Sequence, residues 1–322
     1  MPTGPPGRGR PRHARELTGA GSCLCRRRHR SGSRRGPHRL VLHRSALFRV
    51  GHARLPGAMF TASHNPAAYN GIKMCRAGAK PVGADTGLAT IRDELIAGVP
   101  ATTGPGSVTD RDVLADYGAF LRSLVNLSDL RPLRVAVDAG NGMAGHTAPA
   151  VFAPVESITL LPLYFELDGS FPHHEANPLD PANLVDLQQF VVDQGADIGL
   201  AFDGDADRCF VVDECGQPVS PSTVTALVAA RELDREIGAT VIHNLITSRA
   251  VPELVIERGG TPVRSRVGHS YIKALMADTG PFLAANTRRT TTSAIFGVPT
   301  RGCWPRCMSL PHLANSGGHC RS

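Results

Sequence analysis

The sequence predicts an α/β protein of more than one domain, with mixed sheets flanked by helices. From Leu55 to about residue 280, short apolar runs alternate with amphipathic stretches, and Gly- or Asn-rich turns separate them. This alternation is typical of strands followed by helices and argues against an all-helical bundle. A chain of 322 residues has room for two or three domains of ordinary size.

The two ends of the chain differ in charge from its interior. Residues 1–54 carry 14 Arg and one acid, Glu16, and residues 287–322 carry five Arg and no acid. Residues 55–286 carry 16 basic and 27 acidic side chains, a net charge of −11. Because the basic ends are rich in Pro and Gly and lack Lys and periodicity, we expect disordered tails there. The acidic interior argues against an Arg-tailed nucleic-acid binder, the class that a basic chain first suggests.

Composition also bears on location and on zinc. An Arg-rich, acid-poor start is a feature of transit peptides, but no amphipathic pattern accompanies it. Neither a secretory signal nor a membrane-length apolar run is evident, so we expect a cytoplasmic protein. Five of the eight cysteines lie in the tails, and their spacing, as in Cys23 with Cys25, is unlike the usual paired zinc ligands.

The individual elements follow from periodicity and turn signals. Residues 115–124 predict a helix with an apolar face, and residues 127–132 predict a linker. Leu133 to Asp138 predicts a strand, and the Gly-rich loop 139–145 then leads into a helix, which is the start of an α/β unit. The same reasoning predicts later helices over 184–194, 224–237 and 249–258, and strands over 198–202, 209–213 and 240–243.

Three carboxylates lie at alternate positions in the loop between two of these predicted strands. Asp203, Asp205 and Asp207 can converge on one hard cation, because carboxylate oxygens are the ligands such ions prefer. An EF-hand is one alternative, since Glu214 falls at loop position twelve. Arg208, however, occupies position six, where that loop needs Gly, and strands flank it instead of helices. A solvated acidic turn is the other alternative.

A second motif runs from Thr61 to Lys73 and contains the string Ser63-His64-Asn65-Pro66. Such a string is common in turns, and a serine hydroxyl is a poor nucleophile unless its site activates it. The length of the run, and the acidic loop farther along the chain, make it specific. Together the two motifs resemble the α-D-phosphohexomutase family, the phosphomannomutase/phosphoglucomutase enzymes.

The resemblance implies a metal-dependent phosphoryl transfer. Ser63 would carry the transferable phosphoryl group, and a Mg²⁺ ion held by Asp203, Asp205 and Asp207 would bridge to it. Such a reaction needs charge neutralisation and in-line positioning more than a reactive side chain. Arg208 would help to hold the phosphoserine or the sugar phosphate.

Further site residues follow from the same resemblance. His64 and Lys73 would lie beside the phosphate as proton carriers or charge stabilisers. Arg266 and His269 belong to a segment similar to the one that reaches the sugar phosphate in the family's third domain. Asp138 and the Gly-rich residues after it look like dinucleotide binding, but the spacing is not G-x-G-x-x-G, so we interpret them as a structural turn.

The resemblance also implies a domain layout. Residues 55–130 would form part of the first domain, 131–225 the second, and 226–280 part of the third, with aberrant tails over 1–54 and 281–322. The family's fourth domain, with its Arg-x-Ser-Gly-Thr phosphate loop, has no counterpart in the sequence. The substrates implied are mannose or glucose 1- and 6-phosphates, with no nucleic acid and no membrane as partners.

The tails themselves suggest a shifted reading frame. Codons for residues 281–296, read one nucleotide earlier, can encode AVLGGEHSAHYYFRDF, which contains the G-E-x-S-x-H sugar loop that the family has there. Codons for residues 39–54, read one nucleotide later, can encode GLSSTDLLYFASGTLD, a match to the family's lead into Leu55. We hypothesise that both tails are out of frame and expect little or no mutase turnover. The alternative function is a non-catalytic protein that binds Mg²⁺ and sugar phosphates.

Overall fold

The computed structural model describes residues 55–77, 80–99, 110–125, 127 and 130–266, together with 275, 283–285 and 295–296. The chain divides into two compact units, one comprising residues up to 113 with 168–172, and the other 114–167 with 173 onward. Within the described residues, no helix is both long and apolar enough to cross a membrane. The predicted tails lie outside the described residues, except for the two short pieces near residue 290.

The described residues of the first unit form a small antiparallel sheet and one α-helix. Its strands β1, β2 and β3 pair in that order, and the helix α1 follows them; they span Gly57–Phe60, Ile72–Arg76, Lys80–Pro81 and Leu88–Ala97. Strands β1 and β2 are in register from Gly57 opposite Cys75 to Phe60 opposite Ile72. The connection between these two strands is the serine loop, which therefore projects from one end of a hairpin.

The second unit begins with the helix α2 and a four-stranded sheet in the order β5-β4-β6-β7. Its strands are β4 (Leu133–Asp138), β5 (Ile158–Leu163), β6 (Ile198–Phe202) and β7 (Cys209–Val212), and its helices are α2 (Leu114–Ser123), α3 (Ala144–Phe152) and α4 (Val185–Gln194). Strands β5, β4 and β6 are parallel, and β7 runs antiparallel to β6. The loops that follow β4, β5 and β6 consequently meet at one edge of the sheet.

A second four-stranded sheet in this unit repeats the arrangement of the first. Its elements are α5 (Pro221–Arg235), β8 (Thr240–Asn244), α6 (Ala250–Glu257), β9 (Thr261–Ser265), β10 (Leu283–Ala285) and β11 (Ile295–Phe296). The strand order is β11-β10-β8-β9, with β9, β8 and β10 parallel and β11 antiparallel to β10. In each sheet the first strand is therefore central, the second lies at one edge, and the last two form a hairpin at the other.

Strands β4, β6 and β7 of the first sheet are buried on both faces, whereas the edge strand β5 is partly exposed. Val135 and Val137 of β4 pack into a large apolar cluster that also contains Val228 of α5 and Val241 of β8, so the two sheets share one core. On the opposite face Ala136 packs into a cluster with α4; that cluster contains Leu184, Leu187, Val191, Ala196, Ala201, Phe210 and Val212. Burial on both faces explains why β4 and β6 read as continuous apolar runs.

Most predicted elements are confirmed, with three corrections. The helix predicted from residue 224 begins at Pro221, because Ser220 caps it by accepting from the Ser222 amide and proline is favoured in the first turn. The predicted linker 127–132 is wrong as a linker, since Leu130 is buried in the large cluster. The sequence reasoning also misses eight elements of the described residues: the helix α1, the strands β1 to β3, which it reads only as apolar runs, and the strands β5, β9, β10 and β11.

The burial pattern of α4 gives a direct test of this packing. Leu187 is fully buried against the sheet, whereas Val192 on the same helix is 53 % exposed. We expect Leu187→Ala to lower the free energy of unfolding by about 2–5 kcal/mol through lost burial and a residual cavity. Val192→Ala, the matched control, should change it by less than about 0.5 kcal/mol. Urea denaturation measures both, and equal effects would contradict the described orientation of α4.

Candidate active site

The six residues after β6 form a tight loop that leads into β7. The Ala206 amide donates to the Asp203 carbonyl at 2.8 Å, and Ala206 has a positive φ of 49°, which closes the turn. The Asp203 amide donates to the Arg208 carbonyl at 3.3 Å, and the Arg208 amide donates to Asp203 Oδ1 at 2.9 Å. The first and last residues of the loop are therefore joined through both backbone and side chain.

This loop brings the three predicted carboxylates together. Asp203, Asp205 and Asp207 each offer an oxygen, and these atoms all lie within 4.8 Å of one another. Asp203 is fully buried and Asp205 is 4 % exposed, so a solvated acidic turn is the wrong interpretation. The flanking elements are strands, so the EF-hand alternative is also wrong. Buried carboxylates that converge in this way suit a hard divalent cation.

Arg208 supplies the positive charge of the cluster. It is 4 % exposed; its Nη2 lies 2.8 Å from Asp203 Oδ2, and its Nε lies 3.5 Å from Asp207 Oδ1. Burial and the charges of Asp207 and Asp205 raise the pKa of Asp203 to about 8, against the opposing effect of Arg208. One guanidinium thus does not balance three carboxylates, and a bound cation would complete the neutralisation.

Two other loops of the same unit hold this loop through hydrogen bonds to its backbone. The Met143 amide donates to the Gly204 carbonyl at 3.0 Å, and the Gly204 amide donates to the Ala176 carbonyl at 3.2 Å. Gly142 lies so close that a Cβ there would come within 2.9 Å of the Gly204 Cα and carbonyl oxygen. The turn predicted after β4 is confirmed, and its function is to pack directly against the loop that carries the carboxylates.

The serine loop of the first unit is closed by its own backbone. The Thr61 amide donates to the Gly71 carbonyl at 3.0 Å, and the Ser63 amide donates to Thr61 Oγ1 at 2.9 Å. Ser63 has a positive φ of 55°, a conformation that costs free energy in a non-glycine residue and is often found at functional sites. Ser63 and His64 are half-buried at the tip of the hairpin.

The remaining predicted residues occupy separate positions. Lys73 lies on β2 opposite Met59 of β1, in the same hairpin as Ser63. Arg266 is exposed and directly follows β9, at the carboxyl edge of the second parallel sheet. His269 lies outside the described residues. The structure thus groups Asp203, Asp205, Asp207 and Arg208 in the second unit, and Ser63, His64 and Lys73 in the first.

The buried position of Arg208 generates a stability prediction. We expect Arg208→Gln to lower the free energy of unfolding by about 3–5 kcal/mol, because it leaves buried carboxylates without their partner. A suitable control is Arg131→Gln, which breaks the exposed pair of Arg131 with Asp197 at 2.7 Å. That change should cost about 1 kcal/mol or less. Urea denaturation of both variants without added metal measures the difference, and similar losses would argue against a buried role for Arg208.

The comparisons with known proteins agree with this geometry. Family models described as phosphoglucomutase/phosphomannomutase α/β/α domains I, II and III match residues 46–97, 115–216 and 220–286, in that order along the chain. The β6–β7 loop lies within the domain II match, and the serine loop lies within the domain I match. The segment that contains Arg266 lies within the domain III match.

Curated relatives carry the same names. The chain is 39% identical over 228 residues to a phosphomannomutase/phosphoglucomutase of Pseudomonas aeruginosa, and this match covers 71% of this chain and 48% of the relative. It is 37% identical over 227 residues to a phosphomannomutase of Escherichia coli, and that match covers 68% of this chain and 50% of the relative. The chain thus spans about half the length of the curated relatives it matches.

Solved structures show the same architecture. A phosphoglucomutase/phosphomannomutase family protein from Burkholderia thailandensis matches with a TM-score of 0.66 and 34% identity, over 75% of this chain and 51% of that one. An Aspergillus fumigatus N-acetylphosphoglucosamine mutase, solved with glucose 1,6-bisphosphate, shares the fold at a TM-score of 0.51 and 12% identity. With three successive domain matches and relatives of this similarity, the chain belongs to the phosphoglucomutase/phosphomannomutase family, the α-D-phosphohexomutases.

Proposed function

We propose that this chain transfers a phosphoryl group at Ser63 in the interconversion of hexose 6-phosphate and hexose 1-phosphate. The observation that carries the proposal is the convergence of three aspartates in a buried loop beside one arginine. Phosphoryl transfer depends on neutralising charge at the transferred group, and such a cluster is suited to hold the cation that does so. The relatives named as mutases support the same reaction class.

The proposed metal is Mg²⁺, held by Asp203, Asp205 and Asp207. All three ligands are carboxylates, the hard oxygen donors that Mg²⁺ prefers over the nitrogen and sulfur ligands of zinc or copper. When bound, Mg²⁺ would neutralise charge on the phosphoryl group and on its leaving oxygen. Arg208 would contribute a fixed guanidinium, which can hold two phosphate oxygens at once.

The serine loop would provide the phosphoryl carrier. In the proposed reaction, the phosphoryl group of phospho-Ser63 passes to a free hydroxyl of the hexose monophosphate, which produces a hexose bisphosphate and the free serine. The phosphoryl group that the sugar carried at the start is then transferred to Ser63, which leaves the isomeric monophosphate. His64 and Lys73 would take and return the hydroxyl proton or stabilise the charge of the phosphate.

Substrate binding is proposed for Arg266 and His269. Both are basic or titratable groups of the kind that bind phosphate, and the exposed position of Arg266 after β9 leaves it accessible. Mannose and glucose phosphates are the proposed sugars. Because the chain spans about half of its relatives' length, phosphoryl exchange at Ser63 and complete turnover are separate questions, and the low turnover expected from the sequence stays a prediction.

The first test follows the phosphoryl group. After incubation of the full chain with glucose 1,6-bisphosphate and Mg²⁺, we expect one phosphoryl group on the peptide that contains Ser63. Ser63→Ala should abolish this modification, and Ser123→Ala, on the exposed end of α2, should leave it unchanged. Peptide mass spectrometry measures the modification in the wild type and in both variants. Binding of the bisphosphate without any serine modification would instead favour the non-catalytic alternative.

The second test uses the protonation of the metal loop. Since the pKa of Asp203 is raised to about 8 by burial and by its neighbours Asp207 and Asp205, the three carboxyls together hold a proton for most of the time at pH 7 and must lose it to bind a cation. We expect Mg²⁺ binding to release up to about one proton at pH 7 and almost none at pH 9. Calorimetric titrations in buffers of different ionisation enthalpy measure this release. Identical heats in all buffers at pH 7 would contradict the raised pKa, and the titration at pH 9, where the carboxyl is already ionised, is the control.

A further inference from the structure

A polar pair that no motif predicted lies behind the candidate metal loop, at the carboxyl end of β4. Asp138, the last residue of that strand, is 1 % exposed. Its Oδ1 accepts from the Gly140 amide at 2.8 Å, and its Oδ2 lies 3.0 Å from His174 Nε2. The other ring nitrogen, His174 Nδ1, lies 2.9 Å from the Glu175 carbonyl oxygen. One carboxylate thus joins the loop after β4 to the loop after β5.

The geometry defines the protonation of His174. Both ring nitrogens face oxygens that only accept, a carboxylate and a backbone carbonyl, so the geometry favours the imidazolium form, in which both nitrogens donate. Burial alone would lower the pKa of His174, but the hydrogen bond and charge of Asp138 outweigh it, and the Glu175 carbonyl adds to them, so the pKa is raised. Below that pKa the pair is therefore ionic, and it is partly shielded from water.

The two loops that this pair joins are the ones that hold Gly204. Gly140 precedes Met143, whose amide donates to the Gly204 carbonyl, and His174 precedes Ala176, whose carbonyl accepts from the Gly204 amide. Gly140 and His174 are also in close approach, because a Cβ on Gly140 would come within 3.2 Å of His174 Cε1. Both backbone groups of Gly204 thus depend on segments that Asp138 and His174 fix relative to each other.

A second set of contacts braces the same two loops. Asn141, at a positive φ of 57°, donates through Nδ2 to the Glu166 carbonyl at 2.8 Å, and its Oδ1 lies 2.8 Å from His173 Nδ1. The His173 ring stacks on Tyr164 with centroids 3.8 Å apart. The Tyr164 hydroxyl in turn donates to Asp186 Oδ2 on α4 at 2.9 Å. Hydrogen bonds and ring stacking therefore connect the end of β4 to α4 through the two loops that bind Gly204.

We propose that Asp138 and His174 are positioning residues for the metal loop: their ion pair fixes the two backbone contacts of Gly204, which lies between the ligands Asp203 and Asp205. The inference rests on the proposed function only in taking the three aspartates as metal ligands. Residues that orient ligands from behind commonly change metal affinity by about 10–100-fold when they are removed. Neither residue touches the substrate in this role.

The pair of Asp138 with His174 predicts that metal affinity falls as the pH rises through the pKa of His174. The groups that face His174 are Asp138 on β4, Tyr164 after β5 and Asp186 on α4, beside its chain neighbours His173 and Glu175. Because the folded-state pKa of His174 is raised, its proton is present below that pKa and is lost as the pH rises through it. Loss of the proton leaves one ring nitrogen facing an oxygen without a hydrogen, which weakens the link between the two loops.

The experiment measures Mn²⁺ affinity of the full chain by electron paramagnetic resonance between pH 6.5 and 9. We expect His174→Ala to weaken Mn²⁺ binding about tenfold or more at pH 6.5. His174→Gln keeps a donor near the position of Nε2 without a titrating ring, and should bind within about threefold of the wild type there. The ratio of wild-type to His174→Gln dissociation constants should rise with pH, since dividing the two cancels titration of the ligands themselves. His146→Gln on α3 is the matched control and should follow the wild type throughout.

The outcomes separate this inference from the proposed function. If Asp203→Asn abolishes Mn²⁺ binding but folded His174→Ala binds as tightly as the wild type, the positioning role is overturned and the metal site stands. If the ratio of wild type to His174→Gln stays flat with pH, the ionic pair is overturned as well. Mn²⁺ binding that Asp203→Asn leaves unchanged overturns the metal site and this inference together. Should His174→Ala fail to fold, the His174→Gln ratio alone decides.

Discussion

The structure depends on a concentration of like charge in one buried loop. Three carboxylates meet within 4.8 Å, and the single guanidinium of Arg208 lies at 2.8 Å from one of them. Buried charge is tolerated only when it is paired, so this loop requires Arg208 in the folded chain and keeps negative charge that a bound cation would neutralise. Because these carboxylates repel one another, a loosely held loop would open. Hydrogen bonds to the backbone of the loop must therefore hold it in place.

The sheet topology places the loops that form these hydrogen bonds. In the order β5-β4-β6-β7 the first three strands are parallel, so the loops after β4, β5 and β6 emerge at one edge and can contact one another. Gly204 shows the result, since its amide and carbonyl are bound by the loops after β5 and β4 respectively. A side chain at Gly142 would separate these loops, which explains why the turn after β4 has no Cβ at that position.

The sequence predicted what depends on neighbouring residues and missed what depends on the folded topology. The strands over 133–138 and 198–202 were evident because both faces are buried and the apolar runs are continuous. Strands β5 and β9 each contain a proline, Pro162 and Pro262, which argues against a strand. Both lie at sheet edges, where a missing amide donor is tolerated. The pair of Asp138 with His174 spans 36 positions, and no local pattern indicates it.

The serine loop and the metal loop share one construction. In the serine loop, Thr61 and Gly71 close the base and Ser63 takes a positive φ; in the metal loop, Asp203 and Arg208 close the base and Ala206 takes a positive φ. Backbone hydrogen bonds thus shape both loops. A loop shaped in this way pays its conformational cost during folding, so less reorganisation remains when phosphate or metal binds. Preorganisation of this kind is what a reaction governed by charge and alignment requires.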